Sequence, residues 1–151
     1  NRGMKKRNHT PHEKDEQAAL FQWADVMAFT VPQLVMLHAI PNTGGLGGGF
    51  TANRGMVASM IRQGMRKGYP DIGLDVPAGN RHGLRIELKR RVGGNLRDPD
   101  QMAWRARLTS YGYTCETCCG WQDAARCIAL YLRPVLSASQ RNTLEASIPV
   151  G

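Results

Sequence analysis

The sequence predicts an α/β domain in which a small mixed four-stranded sheet is flanked by helices. Three observations lead there. Segments with apolar residues at helical spacing alternate with short segments at strand-like spacing, in the order helix, strand, helix, strand, strand, helix, strand, helix. The 151 residues are enough for one domain with a core and hardly enough for two. Hydrophobic residues make up 42%, which suits a globular chain and speaks against global disorder.

The elements follow in order. Residues 1–9, with Lys5-Lys6-Arg7, form a basic tail. A domain spanning 10–133 comes next, and 134–151 is a C-terminal extension. The first helix is expected to open with Thr10 as N-cap, Pro11 at the first helical position and Glu13 closing a capping box. Leu20, Trp23 and Met27 then share one face. Glu16 falls on the same inward stripe. A carboxylate there must be paired or bound to metal, unless the first turn protrudes beyond the core.

Leu34 to Ile40 reads as a buried strand ended by Pro41-Asn42, with His38 in it as a packing residue rather than a ligand or base. Thr43 to Gly49 is no Walker loop, because no Gly-Lys-Ser/Thr follows. It is a linker or a loop whose amides approach a phosphate. Asn53 to Lys67 is expected to be a helix, with Met56, Val57, Met60, Ile61 and Met65 in the core. Arg54, Arg62, Arg66 and Lys67 make that helix basic, and it leads directly to Tyr69-Pro70-Asp71.

Asp71 to Val76 is the second strand. An exposed hairpin over Pro77 to Gly83 offers Arg81 and His82 to phosphate. In the third strand Leu84, Ile86 and Leu88 point one way and Arg85, Glu87 and Lys89 the other. Asp98-Pro99-Asp100-Gln101 opens the next helix as a second capping box, and Tyr111-Gly112-Tyr113 closes it. Tyr113 to Cys118 is the fourth strand and Trp121 to Leu132 the last helix of the domain, with Ala124, Ala125, Ile128 and Leu132 inward. Pro134 stops it, and a short helix near Ser137 to Ser147 precedes a frayed end.

The chemistry is concentrated between Gly68 and Arg91. Glu87 and Lys89 share a strand face, roughly 7 Å apart. With Asp71 on the neighbouring strand they form a candidate metal site with a cation beside it. Two carboxylates hold a hard divalent ion through oxygen. Such an ion acidifies a bound water and stabilises charge on a phosphate oxygen. The lysine can orient the nucleophile or neutralise developing charge. Without Asp71, Arg-x-Glu-x-Lys would be a solvated, salt-bridged row. Asp75 shares the face of Asp71 by parity and is a reserve candidate.

Pro70-Asp71 followed by Glu87-Leu88-Lys89 resembles the PD-(D/E)xK nuclease signature, and the wider pattern is similar to the VRR-NUC branch. The matching text is Glu16-Gln17, His38 to Asn42, Met65 to Leu74, Ile86 to Arg90, Asp100-Gln101 with Trp104, Leu108 and Gly112-Tyr113, and a final helix ending Ala129 to Leu132. The likeness covers about residues 12 to 133. It implies a restriction-endonuclease-like domain that binds Mg²⁺ or Mn²⁺ through Asp71, Glu87, the Leu88 carbonyl and Glu16 of the first helix. It also implies that Lys89 positions the nucleophile and that Gln101 supports the site. Small stand-alone members resemble junction-resolving nucleases. That implies a homodimer acting on branched DNA such as a Holliday junction.

Charge agrees with a polyanion partner. Lys and Arg number 20 against 12 acids, a net +8 with pI ≈ 9.8. Arg54, Arg66, Lys67, Arg90 and Arg91 are the candidate DNA contacts. No apolar run is long enough to span a bilayer and the first residues carry no secretory pattern, so a cytoplasmic protein is expected. Cys115, Cys118, Cys119 and Cys127 read as small apolar residues rather than zinc ligands, since structural zinc prefers two separated ligand pairs. Two further functional readings remain: a DNA-binding module of the same fold without catalysis, and a restriction-like enzyme that cuts duplex.

Overall fold

The structure, a computed structural model, describes residues 10–42 and 54–150. The basic tail and the glycine-rich loop at 43–49 lie outside the described residues. The elements are α1 (Glu13–Met27), a 3-10 helix (Pro32–Met36), β1 (Leu37–Ala39), α2 (Arg54–Arg62), β2 (Ile72–Leu74), β3 (Leu84–Lys89), α3 (Pro99–Ser110), β4 (Thr114–Cys119), α4 (Trp121–Leu132), a 3-10 turn (Arg133–Val135) and α5 (Ala138–Ala146). The strands lie in the order β1-β2-β3-β4. The first three are antiparallel, and β3 pairs in parallel with β4. The predicted mixed four-stranded α/β architecture is therefore present.

Strand β3 is the centre of the molecule. Leu84, Ile86 and Leu88 are each 1% exposed and face α1 and α4. Leu20 and Met27 of α1 meet Ala124, Ile128 and Leu132 of α4 in the same core. Each buried Leu or Ile contributes about 1.5–3 kcal/mol. The opposite parity of β3 turns Arg85, Glu87 and Lys89 to the other face. Residues 136–148 also close the core: Leu136, Leu144 and Ile148 are buried, and Trp23 Nε1 donates to Ser147 Oγ at 2.8 Å. A full capping box, Ser137 with Gln140, starts α5.

Several local expectations are corrected. Helix α1 starts at Glu13 with His12 as N-cap and no side-chain cap. Thr10 stays outside the helix, and its carbonyl accepts from Arg90 Nη2 at 3.1 Å. Glu13, Asp15 and Glu16 still favour the positive end of the helix dipole. Leu34 lies in the 3-10 helix, not in a strand, because Pro32 fits the first turn of a helix and cannot donate to a ladder. β1 is correspondingly short.

Helix α2 ends at Arg62 rather than Lys67. Gly64 adopts φ 104°, with Gly64 N donating to Ile61 O and Met65 N to Met60 O. This is a Schellman stop, and glycine suits it because the position is left-handed. No residue of α2 is buried, and Met56 remains 46% exposed, so the methionine stripe is not core.

The hairpin closes tightly, with Ala78 and Arg81 exchanging both backbone hydrogen bonds. Arg81 Nη2 donates to the carbonyls of Thr109 and Tyr113, and the His82 ring packs edge-on against Tyr113. Both side chains tie the hairpin to the end of α3. Cys115 and Cys118 are buried, while Cys119 and Cys127 are half-buried. A hydrogen bond to Cys127 and burial hold the Cys118 thiol far above its ordinary pKa. Among the described residues, no helix is long and apolar enough to cross a membrane.

Candidate active site

The β2–β3 register pairs Ile72 with Ile86. One step further, Asp71 comes opposite Glu87. Because β2 stops at Ile72, the Leu88 N–H has no ladder partner there, and Asp71 Oδ2 accepts it at 2.9 Å. Asp71 Oδ1 accepts from Asn42 Nδ2, also at 2.9 Å. Asn42 follows Pro41 just beyond β1, where the Ile40 amide donates to Asp71 O at 2.7 Å.

Glu87 Oε1 has two partners. Gln101 Nε2 donates to it at 2.8 Å, and the Lys89 ammonium lies 3.5 Å away. Glu87 Oε2 is buried with no hydrogen-bond partner. Burial, and then the Asp71 charge, push the Glu87 carboxyl up to about 8, against the opposing pull of Lys89. The side chain of Lys89 is only 7% exposed. The backbone of Gly94 presses on its stem: a Cβ at Gly94 would lie 3.0 Å from Lys89 Cβ.

Helix α3 brings Gln101 to this point. The Asp98 side chain caps it by accepting from the amides of Asp100 and Gln101. Half of the expected capping box is thus present. The Gln101 side chain does not turn back to Asp98 but reaches Glu87. The turn before β2 is seated against the same helix end. Trp104 Nε1 donates to Lys67 O, Tyr69 packs edge-on to Trp104, and Lys67 Nζ is 3.5 Å from Asp100 Oδ2. Gly68, at φ 81°, lies so close that a Cβ would fall 2.6 Å from Asp100 Cβ.

These groups line one cleft of ≈ 850 Å³. It brings together Asp71, Glu87, Leu88, Lys89 and Gln101, with Lys67 and Arg90 at its walls. Arg54 and Arg66 are exposed but do not line it. Glu16 is buried yet stands outside the cleft. Its Oε2 accepts from Trp121 N at 2.7 Å and its Oε1 lies 3.6 Å from Arg91 Nε. It thereby caps α4, whose own N-cap is Gly120. Arg91 is turned the same way, also bonding Gln122. Asp75 pairs with Arg85 at 2.9 Å and sits 4.0 Å from His38, away from the cleft. Among the described residues, no three His, Cys, Asp or Glu converge as a metal cluster.

Glu13, to which the capping-box reading gives no site role, lines the cleft, and so do Gln17 and Asn42, which belong to the matching text but are not named there as site residues. Glu13 and Gln17 stand four apart, a spacing that places them on one helix face and was the available signal. Glu13 makes no side-chain cap and is exposed at the wall of the cleft.

The residues present fit a hard divalent cation. Asp71 and Glu87 are an all-oxygen pair, and the partnerless Glu87 Oε2 is the kind of buried acceptor that a cation satisfies. Magnesium keeps several waters and often takes only one or two carboxylates from protein, so two carboxylates and a backbone carbonyl suffice.

No family model matches this chain, and no curated protein matches it. Among solved structures the chain is similar to a "VRR_NUC domain protein", with 22% sequence identity and a TM-score of 0.66. The match covers 83% of this chain and 92% of that one.

Proposed function

From a chain with the VRR-NUC fold, we propose a Mg²⁺- or Mn²⁺-dependent deoxyribonuclease that hydrolyses phosphodiester bonds. The observation that carries this reading is the opposed pair Asp71 and Glu87, with one buried carboxylate oxygen unsatisfied and the Lys89 ammonium beside it. Asp71, Glu87 and the Leu88 carbonyl are the residues that would hold the ion. When bound, the ion supplies Lewis-acid stabilisation of phosphate charge and acidifies water.

The chain's own groups do the rest. Lys89 is buried at the edge of the cleft, where its ammonium can orient the attacking water and neutralise charge on the phosphate. Gln101 holds Glu87 Oε1 and so fixes which oxygen remains for the ion. Glu16 acts one layer out, on Arg91 and the start of α4. Lys67 and Arg90, which line the cleft, would hold backbone phosphates there, and exposed Arg66 and Arg54 would extend the basic approach. Arg91 contributes there only if it leaves Glu16. The net charge of +8 supports a nucleic-acid substrate.

We place branched DNA, such as a Holliday junction, as the substrate and a homodimer as the acting form. This part rests on the resemblance to small stand-alone nucleases, whose two-fold symmetry matches a four-way junction. The test is to incubate end-labelled junction, flap and linear duplex with the protein in Mg²⁺, Mn²⁺ or EDTA, beside Glu87→Ala. Metal-dependent cutting of the junction, lost in the variant, is expected. Equal cutting of all three substrates would remove the junction preference, and tight binding without cutting would leave a DNA-binding module. Light scattering of the purified protein decides between monomer and dimer.

A further inference from the structure

We infer that Asn42 is the positioning residue for Asp71, and that it sets how tightly the site holds its divalent cation. The inference rests on the metal-site reading above and adds a residue to it.

The geometry is specific. Asn42 is 8% exposed, so its amide must find partners inside the protein. Its Nδ2 donates to two acceptors, Tyr69 O and Asp71 Oδ1, each at 2.9 Å. A backbone carbonyl can only accept, which fixes the amide with its nitrogen toward Tyr69 and Asp71. Asn42 therefore presents donors, not an acceptor, to Asp71.

The other carboxylate oxygen is held by Leu88 N at 2.9 Å. Asp71 is thus gripped from two strands, by the residue beyond β1 and by the backbone of β3. An ionised carboxylate has about four lone-pair sites. These two bonds occupy one on each oxygen and leave the remainder for a cation. With Asn42 removed, Leu88 alone holds the group, and the carboxylate can swing about its side-chain torsions toward water or Lys67 on the cleft wall. Asparagine provides the second grip without charge. An aspartate there would put a further negative group against Asp71 and lose both donated bonds.

Metal affinity and folding can be measured separately from DNA cleavage. Mn²⁺ binding to wild type, Asn42→Ala and Asn42→Ser would be followed by electron paramagnetic resonance, with thermal unfolding in EDTA as the folding control. Serine keeps a short polar group at the strand end and secures a folded variant should alanine fail. The expected result is a dissociation constant for Mn²⁺ raised about 10–100-fold in the folded variants. Cleavage lost at low Mn²⁺ should largely return at saturating Mn²⁺. Wild-type affinity in a folded variant overturns the inference and leaves the nuclease reading standing. So does a cleavage defect that persists at saturation. A wild-type protein that binds no Mn²⁺ overturns the metal reading and this inference with it.

Discussion

Gln101 Nε2 donates to Glu87 Oε1 at 2.8 Å, which couples the first turn of α3 to the central strand. The Asp98 cap is made through the backbone amides of Asp100 and Gln101, so it does not need the Gln101 side chain. The two roles can be separated. Gln101→Ala is expected to lower metal-dependent cleavage about 10–100-fold while changing the melting temperature by no more than a degree or two. Kinetics on labelled DNA together with a thermal melt check this. A large loss of stability with full activity would assign Gln101 to the helix alone.

The Glu87 carboxyl gives a pH dependence with a definite sign. Its folded value, about 8, lies above its ordinary value of 4.5. The folded state therefore binds the proton more tightly than the unfolded chain does. Its contribution to stability is fully present below about pH 4.5 and is lost as pH rises through about 8. In EDTA, wild type should lose several degrees of melting temperature across that window relative to Glu87→Gln, which cannot titrate. Mn²⁺ should restore wild type most at the alkaline end, where it meets no competing proton, and should do little for the variant. Parallel melting curves for the two proteins in EDTA would contradict this.

Gly68 holds the turn before Asp71 against the start of α3. Its φ of 81° is strained for any L side chain, and a Cβ would meet the side chain of Asp100 and the backbone of Asp100 and Gln101. Gly68→Ala should destabilise the protein by about 2 kcal/mol, read from urea unfolding. It should also reduce cleavage, because relief of the clash moves Gln101 off Glu87. A variant as stable as wild type would show that the turn can shift freely.

Glu16 is predicted to matter for folding and not for the ion. Glu16→Ala leaves the Trp121 amide without its acceptor and removes the partner of Arg91, at a cost of about 2 kcal/mol. Mn²⁺ affinity of the folded variant should stay at the wild-type value. A folded variant with Mn²⁺ binding abolished would return Glu16 to the metal centre.

That contrast also shows what could be read from the chain alone. The alternation of Leu84 to Lys89 settles both the core face and the site face of β3, since side-chain parity is local. Asp98-Pro99 marks α3, and the spacing of Ala124, Ala125, Ile128 and Leu132 marks α4, because caps and periodicity are also local. Glu16 is buried as its stripe requires, yet periodicity is silent on which neighbour fills the space opposite. That neighbour is the start of α4, 105 residues away. The grip of Asn42 on Asp71 spans 29 residues and was hidden for the same reason. The Gly64 stop was local and legible. The apolar spacing of Met60, Ile61 and Met65 across it suggested a longer helix than glycine allows.

The seating of Leu144 and Ile148 in the core has a consequence for biosynthesis. All of the groups placed at the cleft are in the nascent chain once Gln101 has been translated, but the interior is not closed until Ile148 has cleared the ribosome. A chain that stops after Leu132 is therefore expected to be digested by added protease far faster than the intact protein, which pulse proteolysis would measure. Synthesis itself then acts as a timer: a partly made copy carries every residue of the cleft and still lacks the rigidity to hold them in the arrangement of the folded domain.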